Sequence, residues 1–172
     1  MDWLPNVDGV LYFAREILPL IRRARPDCSL AIVGRTPPPK VVELARHDGR
    51  IHVTGTVTDI RPYLWNSSVA IVPLRIGGGT RLKIYEAMAA RIPVVSTTIG
   101  AEGLTVDPPG NIRIGDTPQD FADHTLELLR DSAVRNRIAT AAWEMVNANF
   151  SWERVSRCFE KILAAGPRVA MP

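Results

Sequence analysis

Three consecutive glycines, Gly77 to Gly79, follow an apolar run ending at Leu74 and open into a helical pattern that carries Arg81 and Lys83 in its first turn. Glycine lets the backbone approach a ligand closely and present its N–H groups. A helix start adds a partial positive charge, so the two together make an anion site. Cations in a first turn are normally disfavoured by roughly 0.3 to 1 kcal/mol each, and no acid stands within this loop to offset them. A pyrophosphate answers that arrangement. The plainer reading is a tight packing turn with Arg81 and Lys83 reaching into water.

The run lacks the Gly-Lys-Ser/Thr ending of a phosphate-binding P-loop. It also follows a middle strand, whereas the GxGxxG dinucleotide fingerprint follows the first. One turn further on stands Glu86, at the border of the face that Leu82 and Ala89 occupy. It is placed either to pair with Lys83, in the less favourable Lys-before-Glu order, or to accept ligand hydroxyls beyond the phosphate site. His47, His52 and His124 are scattered and fit no metal or nucleophile arrangement, and Ser67, Ser68 and Ser96 lack a G-x-S-x-G elbow. No DxD cluster is present, so a metal is not expected.

The elements that position this loop alternate. Apolar runs at 29–33, 51–54, 69–74, 93–97 and 111–114 are each closed by or near a glycine. They are apolar on both faces, as parallel strands covered by helices are. Helices are expected over 8–24 (with Pro19 bending or breaking it), 39–46, 60–65 capped by Asp59, and 81–91. Three more follow at 118–130, 133–147 and 152–165, the first capped by Asp116 or Thr117 and the last by Ser151. Repeated strand–helix alternation predicts an α/β, doubly wound parallel sheet, with ligands bound beyond the C-terminal strand ends. Trp3, Trp65, Trp143 and Trp152 are expected in the core. The last helix, with Trp152, Val155, Phe159 and Ile162 on one stripe, is expected to pack across a domain boundary and, without that partner, to expose an apolar patch.

The chain has 172 residues, 46% hydrophobic and 23% charged, with a net charge of +3. That fits one globular domain, here 1–166 with a loose tail at 167–172. The charge suits small anions and is too weak for nucleic acid. Cys28 and Cys158 match no metal or CxxC spacing. The opening MDWLPN has no signal-peptide core, and no run approaches the ~18 apolar residues of a membrane span. A soluble, cytoplasmic protein is expected.

The segment from Pro73 to Val95, with GGGTRLK-x-x-EAMA, resembles the group 1 glycosyltransferases of GT-B architecture. PNVDG (5–9), IVGR (32–35), VTGTVTD (53–59), PVVSTTIGAEGL (93–104) and FSW (150–152) extend the resemblance over nearly the whole chain. It implies a Rossmann-like C-terminal half that binds a nucleoside-diphosphate sugar. An acceptor-binding N-terminal domain lies outside these residues, and sugar transfer occurs between the halves with retention of configuration. By resemblance Glu86 is the second acid of the family's E-x7-E motif and contacts the donor ribose. Gly79, Thr80 and Arg81 fall at the diphosphate, and Gly78 belongs to the same donor-binding loop. Gly34, Arg35 and Val57 flank the base, and Glu102 matches a donor-side position. No cofactor is implied beyond the donor itself. Further expectations are a role in polysaccharide or envelope glycan synthesis, peripheral membrane association of the full enzyme, and dimerisation through exposed apolar surface.

Two departures stand out. The first acid of E-x7-E falls at Gly78, and the family's Arg and Lys pair near the domain start has no counterpart in MDWLPNVDG. Arg81 and Lys83 are therefore expected to neutralise the diphosphate, while the catalytic groups stay unassigned. Rival readings are half of a GT-B-type UDP-sugar epimerase and a non-catalytic sugar-nucleotide-binding module, which the lost acid at Gly78 supports best.

Overall fold

The computed structural model describes residues 3–77, 79 and 81–164. The first helix starts earlier than expected. α1 (Leu4–Tyr12) begins directly after Trp3, with Pro5 in the first turn, where a missing N–H does little harm. A proline at position 19 removes one backbone donor and crowds the carbonyl four residues back. The helix does not stop there. It widens into a single π-helical turn, Phe13–Ile17, and continues as α2 (Leu18–Ala24). Phe13, Ile17, Leu18 and Ile21 all remain buried.

Among the described residues, five parallel strands follow the five apolar runs. β1 (Leu30–Val33) pairs with β2 (Ile51–Gly55), Leu30 opposite Ile51. β3 (Ala70–Val72) pairs with β4 (Val94–Ser96), and β4 with β5 (Arg113–Ile114). The expected continuous sheet is not formed. Hydrogen bonding divides the described strands into β2–β1 and β3–β4–β5, with no ladder between β1 and β3. The α/β class and doubly wound layering hold. α1 packs on α3 (Pro39–His47), and α2 packs on α7 (Pro118–Arg130), on one face. α5 (Leu82–Ala89) packs on α8 (Ser132–Phe150). Two apolar clusters result, one around Phe13, Ile17, Ile21, Val41 and Phe121, the other around Ile84, Met88, Val94 and Ile112.

Short elements tie down the C-terminal strand ends. α4 (Arg61–Trp65) is preceded by Asp59, whose carboxylate accepts the Arg61 N–H at 2.9 Å. A one-turn helix, α6 (Thr98–Ala101), stands in the glycine-containing loop after β4, and Thr97 caps it by accepting from the Gly100 N–H. A Cβ at Gly100 would lie 2.4 Å from Ser96 Oγ and 2.7 Å from the Val72 carbonyl, so only glycine lets α6 sit this close. Thr117, rather than Asp116, caps α7, while Asp116 accepts from the N–H and hydroxyl of Thr98. α9 (Trp152–Ala164) lies outermost. Trp152 (85% exposed), Phe159 and Ile162 give it the expected open apolar stripe. Trp3 and Trp65 are exposed as well, against the expectation of core positions, and Trp143 is half-buried under the Arg91 guanidinium.

Candidate functional site

The loop from β3 to α5 is held by hydrogen bonds from both neighbouring layers. Thr97 donates its hydroxyl to the Leu74 carbonyl, and Ser96 donates to the Val72 carbonyl at 3.2 Å. From the other side Arg75 forks onto Asp8 of α1 at 2.7 and 3.0 Å and stacks 4.4 Å above the Tyr12 ring. The Arg75 hydrogen bonds hold the Asp8 carboxyl below its usual range against the opposing effect of burial. Within the corner, Gly79 has φ +87°, and a Cβ there would meet the Trp3 ring at 3.3 Å. Gly78 and Thr80 lie outside the described residues.

Arg81 is not a solvent-facing first-turn cation. It sits at the N-cap of α5 with φ +53°, a left-handed conformation costly for a side-chain-bearing residue. Its side chain is 3% exposed. Its guanidinium donates to the Ile99 carbonyl at 2.9 Å and lies 3.8 Å from Glu102. The charge that the loop itself leaves uncompensated is thus met by an acid from the following loop. The Glu102 oxygen also stands 3.2 Å from where a Cβ on Gly77 would be, so glycine makes room for the pair.

Lys83 points the other way and donates to Asn6 Oδ1 at 2.6 Å. Although the residue is exposed by area, protein atoms crowd its ammonium, and this desolvation pushes its pKa below the ordinary lysine value. Arg81 adds to the shift and Glu86 opposes it. Gly79, Arg81, Lys83 and Glu86, with Trp3 and Asn6, line one cleft of about 360 Å³ at the mouth of the sheet. Asn6, Lys83 and Glu86 also border a larger cleft of about 700 Å³ between β1 and β3.

The structure therefore gathers four of the expected residues and separates others. Neither cleft is lined by Gly34, Arg35, Val57 or Glu102, which stand on neighbouring loops. Trp3, Asn6, Asp8 and Arg75 were missed as site residues. The polar Asn6 and Asp8 inside an otherwise apolar helix start were the signal available. No group of three metal-binding side chains is present among the described residues, and none of their helices is long and apolar enough to cross a membrane. The corner can present an anion with the Lys83 ammonium, held by Asn6, and with the fixed Arg81 guanidinium. An acid and an aromatic ring stand beside them.

Comparison with known proteins agrees with this architecture. A mannosyltransferase of Corynebacterium glutamicum, named as GDP-mannose-dependent and acting on a phosphatidylinositol monomannoside, is 27% identical over 168 residues, 89% of this chain and 43% of that protein. The C-terminal domain of a group 1 glycosyl transferase family protein from Francisella tularensis superposes with a TM-score of 0.71 at 21% identity, covering 86% of this chain and 81% of that domain. An Anabaena protein solved with UDP and glucose superposes at 0.73 with 18% identity, covering 86% and 43%. The chain spans about two fifths of the length of the curated relatives it matches. The sequence model of the family described as Glycosyl transferases group 1 matches residues 2–131. On that match, the chain belongs to the group 1 glycosyl transferases.

Proposed function

We propose that this chain is the donor-binding half of a retaining glycosyltransferase, holding the diphosphate of a nucleoside-diphosphate sugar at the Gly79–Lys83 corner. The observation that carries this reading is the convergence of Gly79, Arg81, Lys83 and Glu86 on one cleft at the C-terminal strand ends, where ligands of doubly wound sheets bind. The Anabaena protein's UDP and the Corynebacterium protein's GDP-mannose support a nucleotide sugar as the ligand class.

In this scheme Gly78, Gly79 and Thr80 are the expected backbone donors, and Lys83, aimed by Asn6, supplies charge. Arg81, locked by Ile99 and balanced by Glu102, contributes a fixed positive field. Glu86 accepts from the ribose, and Gly34, Arg35 and Val57 border the base. When the sugar–phosphate bond breaks, negative charge grows on the departing diphosphate, and groups already aimed at it stabilise it without reorganisation. The attacking hydroxyl belongs to an acceptor bound by an N-terminal domain outside these residues, in a cytoplasmic enzyme of polysaccharide or envelope glycan synthesis. No metal or other cofactor is required.

Titration calorimetry of UDP-glucose and GDP-mannose against the chain and its Lys83→Ala and Arg81→Ala variants tests the reading. Binding of one donor, weakened in both variants, supports it. Affinity unchanged in both refutes it.

A further inference from the structure

An indole stands half open to water on the wall of the anion cleft. Trp3 lines that cleft with Gly79, Leu82 and Lys83. The residue is 48% exposed, and Leu82 on the same cleft is 59% exposed. An apolar side chain left in water forgoes the free energy of burial. Two of them beside a cationic corner mark a surface that a ligand covers.

The indole is also held in place. Trp3 is the N-cap of α1, and its carbonyl accepts the Asn6 and Val7 N–H groups at 3.0 and 3.2 Å. Asn6 in turn receives the Lys83 ammonium, so one helical turn sets both the ring and the charge. A Cβ on Gly79 would meet Trp3 first at Cη2, 3.3 Å away, and then at Cζ3, 3.7 Å away. Both atoms lie at the outer end of the six-membered ring. That end rests on the glycine corner.

What such a ring takes follows from adjacency. Cations at the corner hold phosphate oxygens, and Trp3 touches the corner itself. The group that packs on it is therefore bonded directly to a phosphate. In a nucleoside-diphosphate sugar that excludes the base, which a ribose separates from the phosphates. The ribose and the transferred sugar remain, one at each end of the diphosphate. Glu86, the acceptor for the ribose, lies three residues beyond Lys83 along α5, on the side away from Gly79. The transferred sugar is left at the Trp3 end. A pyranose turns polarised C–H bonds out from its faces, and these pack on the negative face of an aromatic ring.

We propose that Trp3 is the platform for the transferred hexopyranose of a nucleoside-diphosphate donor, recognising the sugar and not the nucleotide. This role rests on the reading of the Gly79–Lys83 corner as the diphosphate site.

Titration calorimetry with UDP, UDP-glucose, GDP and GDP-mannose tests it on the parent chain, Trp3→Ala, Trp3→Leu, Trp3→Phe and Lys83→Ala. Trp3→Ala is expected to weaken the bound sugar nucleotide by about tenfold, and the matching nucleotide by less than about twofold. Trp3→Leu, which keeps apolar bulk without a ring, is expected to show the same selective loss, and it decides alone if the alanine chain does not fold. Trp3→Phe restores an aromatic face and is expected to recover most of the affinity. Equal losses for nucleotide and sugar nucleotide overturn the proposal, because the ring then only props the corner. Unchanged sugar-nucleotide affinity in Trp3→Ala or Trp3→Leu overturns it as well, as does Trp3→Phe binding as weakly as Trp3→Leu. Failure of the diphosphate reading looks different. A parent chain that binds none of the four, or nucleotide affinity that Lys83→Ala leaves unchanged, overturns both.

Discussion

The ammonium of Lys83 hydrogen-bonds Asn6 Oδ1 at 2.6 Å, linking α5 to the first helix across 77 positions of sequence. The bond holds the charge over the glycine corner instead of letting it swing into water. If the corner takes a diphosphate, Lys83→Ala should weaken donor binding by about tenfold or more, the contribution of one hydrogen bond to a charged group. Asn6→Ala should cost less, because the ammonium survives while its aim is lost. Calorimetric titration of both variants would rank them, and a larger loss for Asn6→Ala contradicts this arrangement.

The same crowding gives Lys83 a pH signature. Its folded-state pKa lies below the ordinary lysine value, first through burial and then through Arg81. The unfolded chain therefore binds more protons at this position across the window between the depressed value and the ordinary one. Stability should rise with pH through that window as the folded state is relieved of a desolvated charge. In Lys83→Met that alkaline increment should vanish, as chemical denaturation at a series of pH values would show.

Glu127 works in the acid direction. Arg113, itself buried, donates to the Glu127 carboxylate at 2.7 and 3.0 Å. Those bonds lower the carboxyl's pKa, with burial opposing. The folded value is depressed, so the stability it contributes is fully present above the unfolded carboxylate range and is lost as pH falls through the folded value. Glu127→Gln should flatten the acid limb of the stability profile, leaving the alkaline limb alone.

Arg81 offers a measure of backbone strain. Its φ of +53° suits glycine and penalises every other residue. Arg81→Ala loses the guanidinium contacts and keeps the strain, whereas Arg81→Gly loses the contacts and relieves it. The glycine variant should be the more stable of the two by about 1 kcal/mol in urea unfolding. Equal stabilities would place the strain elsewhere.

In the core, Phe13 and Phe121 meet edge to face at 5.9 Å between ring centres, both buried. Truncating Phe121 to alanine should cost about 3 to 5 kcal/mol by equilibrium denaturation.

Much of the fold was legible in the residues. Glycine-terminated apolar runs marked all five strands, and α7 begins where Thr117 and Pro118 announce a cap and a first turn. What escaped has identifiable causes. Pro5 is harmless in a first turn, so α1 starts at Leu4 rather than at position 8. The glycines around Thr98–Ala101 read as loop, although Thr97 caps a helical turn there. Apolar periodicity identifies strands without naming their partners, so the interruption between β1 and β3 was invisible. At the corner, local pattern singled out the glycines, Arg81 and Lys83. It left Glu86 between two readings that only the family resemblance decided, and the structure brings Gly79, Lys83 and Glu86 to one cleft. The direction of Arg81 was not legible, because a left-handed arginine at a helix start has no sequence signature. Its partner Glu102 lies 21 positions on, beyond any local rule.

The widened turn at Phe13–Ile17 fixes the azimuth of everything before it. Each residue of an ordinary helix advances the face by about 100°. Deleting one residue from that turn would rotate α1 by about that angle relative to α2. Asn6 would then swing away from Lys83, and Asp8 from Arg75. The proline-accommodating turn thus acts as a phase setting that aligns one end of the first helix with the glycine corner and the other with the core.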